Sequence, residues 1–179
     1  MKTYVIHMSK TKEREPYVKI LKDTFGAEVF EGISGEKLDS FLPGQVGCFQ
    51  SHYAIYLSLP PNEDVLIFED DCEVLDPSVK DLLRTLKRDY DIIYLGCYHI
   101  YKKNGYTKSH GTFGYWLSSE TVKLLLKDLT MKEPIDHHLC TIAETYKLRV
   151  WRSTPKDKYI KQKVGLRSTI CGINKDKQD

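Results

Sequence analysis

The stretch VLIFEDDCEV, residues 65–74, sets four apolar residues directly before three consecutive carboxylates, Glu69, Asp70 and Asp71. The run is apolar at odd and even positions alike, as a strand buried on both faces of a parallel sheet requires. Its end is the informative part. Like charges this close repel, and each disfavours ionisation of its neighbours. The crowding is explained by a positive partner, for which a divalent cation is the natural candidate, or by an acidic turn that caps the next segment.

Strand and helix signals alternate outward from this point. Upstream, TYVIHM (3–8) is rich in β-formers, and PYVKILKDTF (16–25) places Tyr17, Leu21 and Phe25 at helical spacing behind Pro16. EVFEGI (28–33) predicts a second strand. Beyond Pro43-Gly44, the residues Val46, Phe49, Tyr53 and Tyr56 fit one helix face. Downstream, Asp76-Pro77 opens a helix with Val79, Leu82, Leu83 and Leu86 inward, and YDIIYLGC (90–97) predicts another buried strand. Asn104-Gly105 signals a hairpin, TFGYWL (112–117) a strand, and Ser118 or Ser119 caps a further helix. Pro134 opens one more helix, and KLRVWRS (147–153) predicts the last strand. This order predicts an α/β fold with a mostly parallel sheet flanked by helices, in which ligands bind beyond the carboxyl ends of the strands. The acidic triplet sits at such an end.

The 179 residues suit one domain, expected over 1–154, followed by a basic tail over 155–179 that holds seven Lys or Arg against three Asp. That tail reads as a solvated end or as a cover for a polyanionic ligand such as a diphosphate. A net charge of +2 gives no ground for nucleic-acid or membrane binding. Five scattered cysteines, Cys48, Cys72, Cys97, Cys140 and Cys171, contain no C-x-x-C pair, which predicts free thiols rather than a zinc site or disulfide framework. Without a signal peptide or a long apolar run, a cytoplasmic protein with no transmembrane segment is expected.

In an extended segment Glu69 and Asp71 share one face and Asp70 takes the other, so that one carboxylate can hold Mg²⁺ or Mn²⁺ while another meets a neighbouring ligand group. A haloacid-dehalogenase-type phosphatase needs an Asp-x-Asp pair early in the chain, whereas here Asp71-Cys72-Glu73 lies past residue 70.

Several motifs, taken in order, resemble glycosyltransferase family 25, the lipopolysaccharide-biosynthesis and collagen-galactosyltransferase type. They are YVIHMSKTKERE, GISGEKLD, PGQVGCFQSHYAIY with its Gly-x-x-Gly-Cys-x-x-Ser-His signature, LIFEDDCEV, YDIIYLG, GTFGYWLSSETVKLLL and PIDHHL, which together span roughly residues 3–140. YIKQKVGLRSTI is similar to the family's C-terminal segment. Gln45 stands where the family usually has Glu, and Phe113 where a His is common.

The resemblance implies a GT-A nucleotide-sugar-binding fold and a metal-dependent inverting hexosyltransferase. It would use UDP-galactose or UDP-glucose as donor and a glycan or hydroxyl-bearing acceptor. By the same resemblance Asp71, helped by Asp70, ligates Mn²⁺ or Mg²⁺. Arg14, Ser51, His52, Glu69, Asp70 and Thr112 face the nucleotide sugar, and Asp136 is the base. Read from the residues alone, Asp136 is equally a helix-terminal acid, Ser51 and His52 a buried structural pair, and Arg14 a solvated helix residue. The departures at Gln45 and Phe113, with the short chain, leave a non-catalytic binding or assembly module on the same scaffold as the alternative.

Overall fold

The computed structural model describes residues 1–38, 40–103, 106–127, 130–153 and 159–163. In chain order the elements are β1 (Lys2–His7), a 3₁₀ turn (Lys12–Arg14), α1 (Glu15–Phe25), β2 (Glu28–Glu31), α2 (Pro43–Ser58), β3 (Val65–Glu69) and β4 (Cys72–Val74). There follow α3 (Val79–Leu86), β5 (Ile92–Lys103), β6 (Tyr106–Leu117), α4 (Ser119–Leu125), α5 (Ile135–Thr145), β7 (Val150–Arg152) and β8 (Ile160–Gln162).

One sheet runs in the order β2-β1-β3-β6-β5-β7, and a two-stranded ribbon pairs β4 with β8. In the large sheet β1 pairs parallel with β2 and β3, and β5 with β7, while β6 is antiparallel to both β3 and β5. The sheet is therefore mostly parallel, as expected, with one reversed strand beside the central one. The alternation of strand and helix fails at β5 and β6, which form a long two-stranded arm. The expected Asn104-Gly105 turn lies outside the described residues. The β4–β8 ribbon was not anticipated, because three-residue strands carry too few positions for a period of two to show. Of the segment expected as a tail, only 159–163 is described, and it contains β8.

β3 shows why its sequence is apolar throughout. Val65 and Ile67 enter a core with Phe49, Tyr53, Ile55 and Tyr56 of α2, Val122 and Leu125 of α4, and Leu139 of α5. Leu66 and Phe68 enter a second core with Val18 and Leu21 of α1 and Val79 and Leu83 of α3. Alternate residues of a strand face opposite ways, so a strand with helices on both faces has no polar side. β5 and β6 do the same with Ile92 and Tyr115 on one face, and Ile93 and Trp116 on the other.

Helix boundaries follow the local chemistry. Pro16 lies in the first turn of α1, which ends at Gly26 in the left-handed conformation (φ 68°). In α2, Pro43 occupies the first turn and the Gln45 side chain accepts the Leu42 N–H at 2.9 Å. The amide oxygen thus does at Gln45 what a carboxylate would do at a helix start. The other departure, Phe113, is buried and packs its ring 5.1 Å from that of Tyr98.

Candidate active site

Parallel pairing aligns the carboxyl ends of β1 and β3, with Ile6 opposite Glu69. His7 therefore emerges beside Asp70, and its Nδ1 lies 2.8 Å from Asp70 Oδ2. The 3₁₀ turn that follows β1 brings Arg14 to the same place. Its guanidinium donates to Asp70 Oδ1 and stands 3.7 Å from Asp71 Oδ2. Thr11 Oγ1 donates to Asp70 as well, at 3.3 Å. Arg14 is not solvated: it is 4% exposed, and the adjoining carboxylates hold its charge.

The three acids diverge. Glu69 is the last residue of β3 and accepts the Thr112 hydroxyl at 2.5 Å. Asp70 spends both oxygens on Arg14, His7 and Thr11. Asp71 Oδ2 accepts Gln162 Nε2 of β8 at 2.7 Å, while its Oδ1 is buried with no hydrogen-bond partner. The strict alternation expected of an extended segment ends at Glu69, because the strand ends there and Asp70-Asp71 form a turn. Burial, with the neighbouring Glu69 charge, pushes the Asp71 carboxyl up to about 6 against the pull of Arg14 and Gln162.

Ser51 and His52 lie on α2. Ser51 Oγ donates to Gly47 O at 2.7 Å and accepts Ile33 N–H at 2.8 Å, which pins the loop after β2 to the helix. At the same contact Gly35 and Gly47 meet backbone to backbone: a Cβ on Gly35 would lie 2.9 Å from Gly47 Cα. This is the physical content of the GISGEK and PGQVGC motifs. His52 is fully buried, with Nδ1 2.6 Å from the Tyr115 hydroxyl and its unpartnered Nε2 3.8 Å from Glu69 Oε1.

Asp136 sits in the first turn of α5, where the helix dipole favours an anion. Its Oδ2 accepts Gly111 N–H at 3.0 Å and its Oδ1 accepts His137 N–H at 2.9 Å. Gly111 has φ +84°, a conformation that frees its N–H for Asp136 and that other residues rarely adopt. His110 Nδ1 approaches Asp136 Oδ2 to 3.6 Å and His137 Nε2 to 2.7 Å. His138 instead turns inward, its Nε2 2.9 Å from the Tyr53 hydroxyl.

One cavity of about 780 Å³ collects these groups: Arg14, Ser51, His52, Glu69, Asp70, Asp71, Thr112 and Asp136 all line it. Sequence reasoning did not name His7, His110, Tyr115 or Gln162. His7 was findable, since it ends the strand adjacent to β3. Gln162 was not, because nothing local marks β8 as the partner of β4.

The donor set suits a hard divalent cation. Glu69 is engaged by Thr112 and Asp70 by Arg14, His7 and Thr11, so the buried Asp71 oxygen without a donor is the group that such an ion would satisfy. His52, Cys48 and Glu69 also converge within ligating distance of one another, on the α2 side of the same cavity.

No family model matches the chain. It is 27% identical, over 86% of its length, to a protein of Drosophila pseudoobscura pseudoobscura named as a glycosyltransferase 25 family member, and it spans 32% of that relative. Among solved structures it is similar to Drosophila β1,4-galactosyltransferase 7 in complex with manganese, UDP-Gal and xylobiose (TM-score 0.56, 11% identity, 93% of this chain and 71% of that one). It is also similar to a glycosyltransferase involved in glycosylation of the major capsid of PBCV-1 (TM-score 0.52, 13% identity, 90% and 92% of the two chains). The protein thus has a GT-A-type fold and, in keeping with its motifs, is similar in sequence to a glycosyltransferase 25 family member.

Proposed function

We propose that the cavity is the active site of a metal-dependent, inverting hexosyltransferase that takes galactose or glucose from a nucleotide diphosphate to a glycan or other hydroxyl-bearing acceptor. The observation that carries this reading is the single cavity that joins an orphaned, buried Asp71 oxygen to a carboxylate, Asp136, aimed by two backbone N–H groups. The family resemblance and the manganese and UDP-Gal held by the galactosyltransferase of similar fold support it.

Asp71 holds the cation in this reading. Asp70 backs it by fixing Arg14 at the rim of the diphosphate pocket, so that the pair acts as an ion-paired support rather than as two equal ligands. When bound, the cation supplies Lewis-acid neutralisation of the charge that gathers on the departing diphosphate. Arg14 adds a second, permanent positive charge at that end. Thr112, which donates to Glu69, fixes the Glu69 carboxylate near the donor's ribose. Asp136 accepts the proton from the acceptor hydroxyl as its oxygen bonds to the anomeric carbon and the carbon–diphosphate bond breaks with its electron pair. A base that acts on the face away from the leaving group gives inversion. Ser51 and His52 shape the donor pocket from α2, with His52 oriented by Tyr115. The two departures from the family pattern have structural roles, a helix cap at Gln45 and core packing at Phe113.

Calorimetric titration with UDP-galactose and UDP-glucose, each with and without Mn²⁺, tests the reading. Metal-dependent binding of one donor, lost in Asp71→Ala, is expected. Donor hydrolysis or transfer abolished by Asp136→Asn with binding retained then excludes the non-catalytic alternative. No binding of either donor, with or without metal, overturns the proposal.

A further inference from the structure

We propose that His110, Asp136 and His137 form a second cation site on the β6–α5 wall of the cavity, one that takes Zn²⁺ or Co²⁺ in preference to Mg²⁺ or Mn²⁺. Three side chains from two elements converge there. His137 Nε2 lies 2.7 Å from His110 Nδ1, and His110 Nδ1 lies 3.6 Å from Asp136 Oδ2. The ligand atoms of all three fall within 4.8 Å of one another. Metal–ligand bonds of about 2.0–2.2 Å place neighbouring ligand atoms about 2.9–3.5 Å apart, so the observed separations need only small rotations to accept an ion.

The support around these groups is that of a held ligand set. Asp136 is oriented by the Gly111 and His137 amides, and the Gly111 amide owes its direction to a positive φ. Outer hydrogen bonds of this kind fix a ligating carboxylate before the ion arrives. All three residues are half-buried and line the cavity, so an ion there would keep positions open to the cavity. Two imidazoles and one carboxylate favour Zn²⁺ and Co²⁺, whereas the all-oxygen Asp71 end favours Mg²⁺ or Mn²⁺. The cavity thus sorts two kinds of cation by ligand chemistry. If Asp136 is the base, an assumption that rests on the proposed function, Zn²⁺ at this site occupies its carboxylate and inhibits transfer.

The test uses the full chain stripped with EDTA and titrated with CoCl₂. A visible absorption band that saturates and is displaced by Zn²⁺ is expected. It should be retained in Asp71→Asn and weakened in His110→Ala and in His137→Ala by at least the ~10–100-fold that loss of an outer partner alone costs. Histidine-ring NMR signals of the unmutated protein provide a readout that does not depend on variants folding: Zn²⁺ should shift the His110 and His137 rings, and a shift of the His52 ring in their place would put the ion at the Cys48, His52 and Glu69 set and overturn the site. No band, a band lost in Asp71→Asn, or unchanged binding in the histidine variants would overturn the site. None of these readouts requires donor binding, so the site and the transferase reading fail independently.

Discussion

Replacing Gly47 by Ala opposes two effects whose sizes differ enough to be told apart. Gly47 lies inside α2, where Ala is favoured over Gly by about 1 kcal/mol on helix propensity alone. The tertiary structure says the reverse. An added Cβ would stand 2.6 Å from Gly35 N and closer still to Ile33 O, both of them backbone atoms that cannot rotate away. Ordinary contact needs roughly 3.4 Å or more, so the 32–35 loop must retreat from α2 by about 1 Å. Overpacking of this kind costs about 1–3 kcal/mol. The Ile33 N–H to Ser51 Oγ bond, 2.8 Å long, stretches with it and adds about 1 kcal/mol. Setting about 2–4 kcal/mol of cost against 1 of gain leaves Gly47→Ala destabilised by about 1–3 kcal/mol. For a chain of this length that is a fall in Tm of about 2–12 °C. Thermal and urea denaturation, followed by circular dichroism, measure it. An unchanged or more stable Ala variant would mean that the loop does not rest on α2, and the cavity wall built from it would be wrong.

Asp71→Asn, studied in EDTA, is expected to stabilise the protein above pH 6. The native carboxyl titrates near 6, above its unfolded value of about 4, so the native state binds more protons between these limits and stability falls as pH rises through them. The upper bound on that loss is about 3 kcal/mol. The Asn variant escapes it, so the two stability curves should separate from pH 4 to pH 6 and run parallel above; curves parallel throughout refute the argument. Arg14→Met removes the cation from a buried pair with Asp70 and should cost about 3–5 kcal/mol in urea unfolding. A loss under 1 kcal/mol would place Arg14 in solvent. Tyr115→Phe strips the hydroxyl that His52 Nδ1 and the Tyr56 hydroxyl share, and a loss of about 1–3 kcal/mol is expected in the same assay.

Much of the architecture was legible because burial on two faces leaves a plain mark. VLIF is apolar throughout since cores lie on both sides of it, Pro16 and Pro43 lie in the first turns of their helices, and Pro134 stands just before α5 at its N-cap. The grouping of Arg14, the acidic triplet, Thr112 and Asp136 was readable only through the order of motifs, since no local pattern ties residue 14 to residue 136. The reversal of β6 against β5 was marked only by the Asn104-Gly105 hairpin signal, since a strand reads the same in either direction, and nothing local marked its antiparallel seat beside β3.

The acidic strand end, the α/β order and the glycine motifs are consequences of local chemistry, which is why the sequence alone determined them. What the tertiary structure decided is the division of labour among like residues. Asp70 is neutralised by Arg14 while Asp71 keeps a bare oxygen; His138 is buried against Tyr53 while His137 meets His110. Neighbours in sequence share composition and charge pattern, so nothing local separates them. Their roles are set by partners 56 to 85 positions away or on another element, at distances that only the packed chain defines.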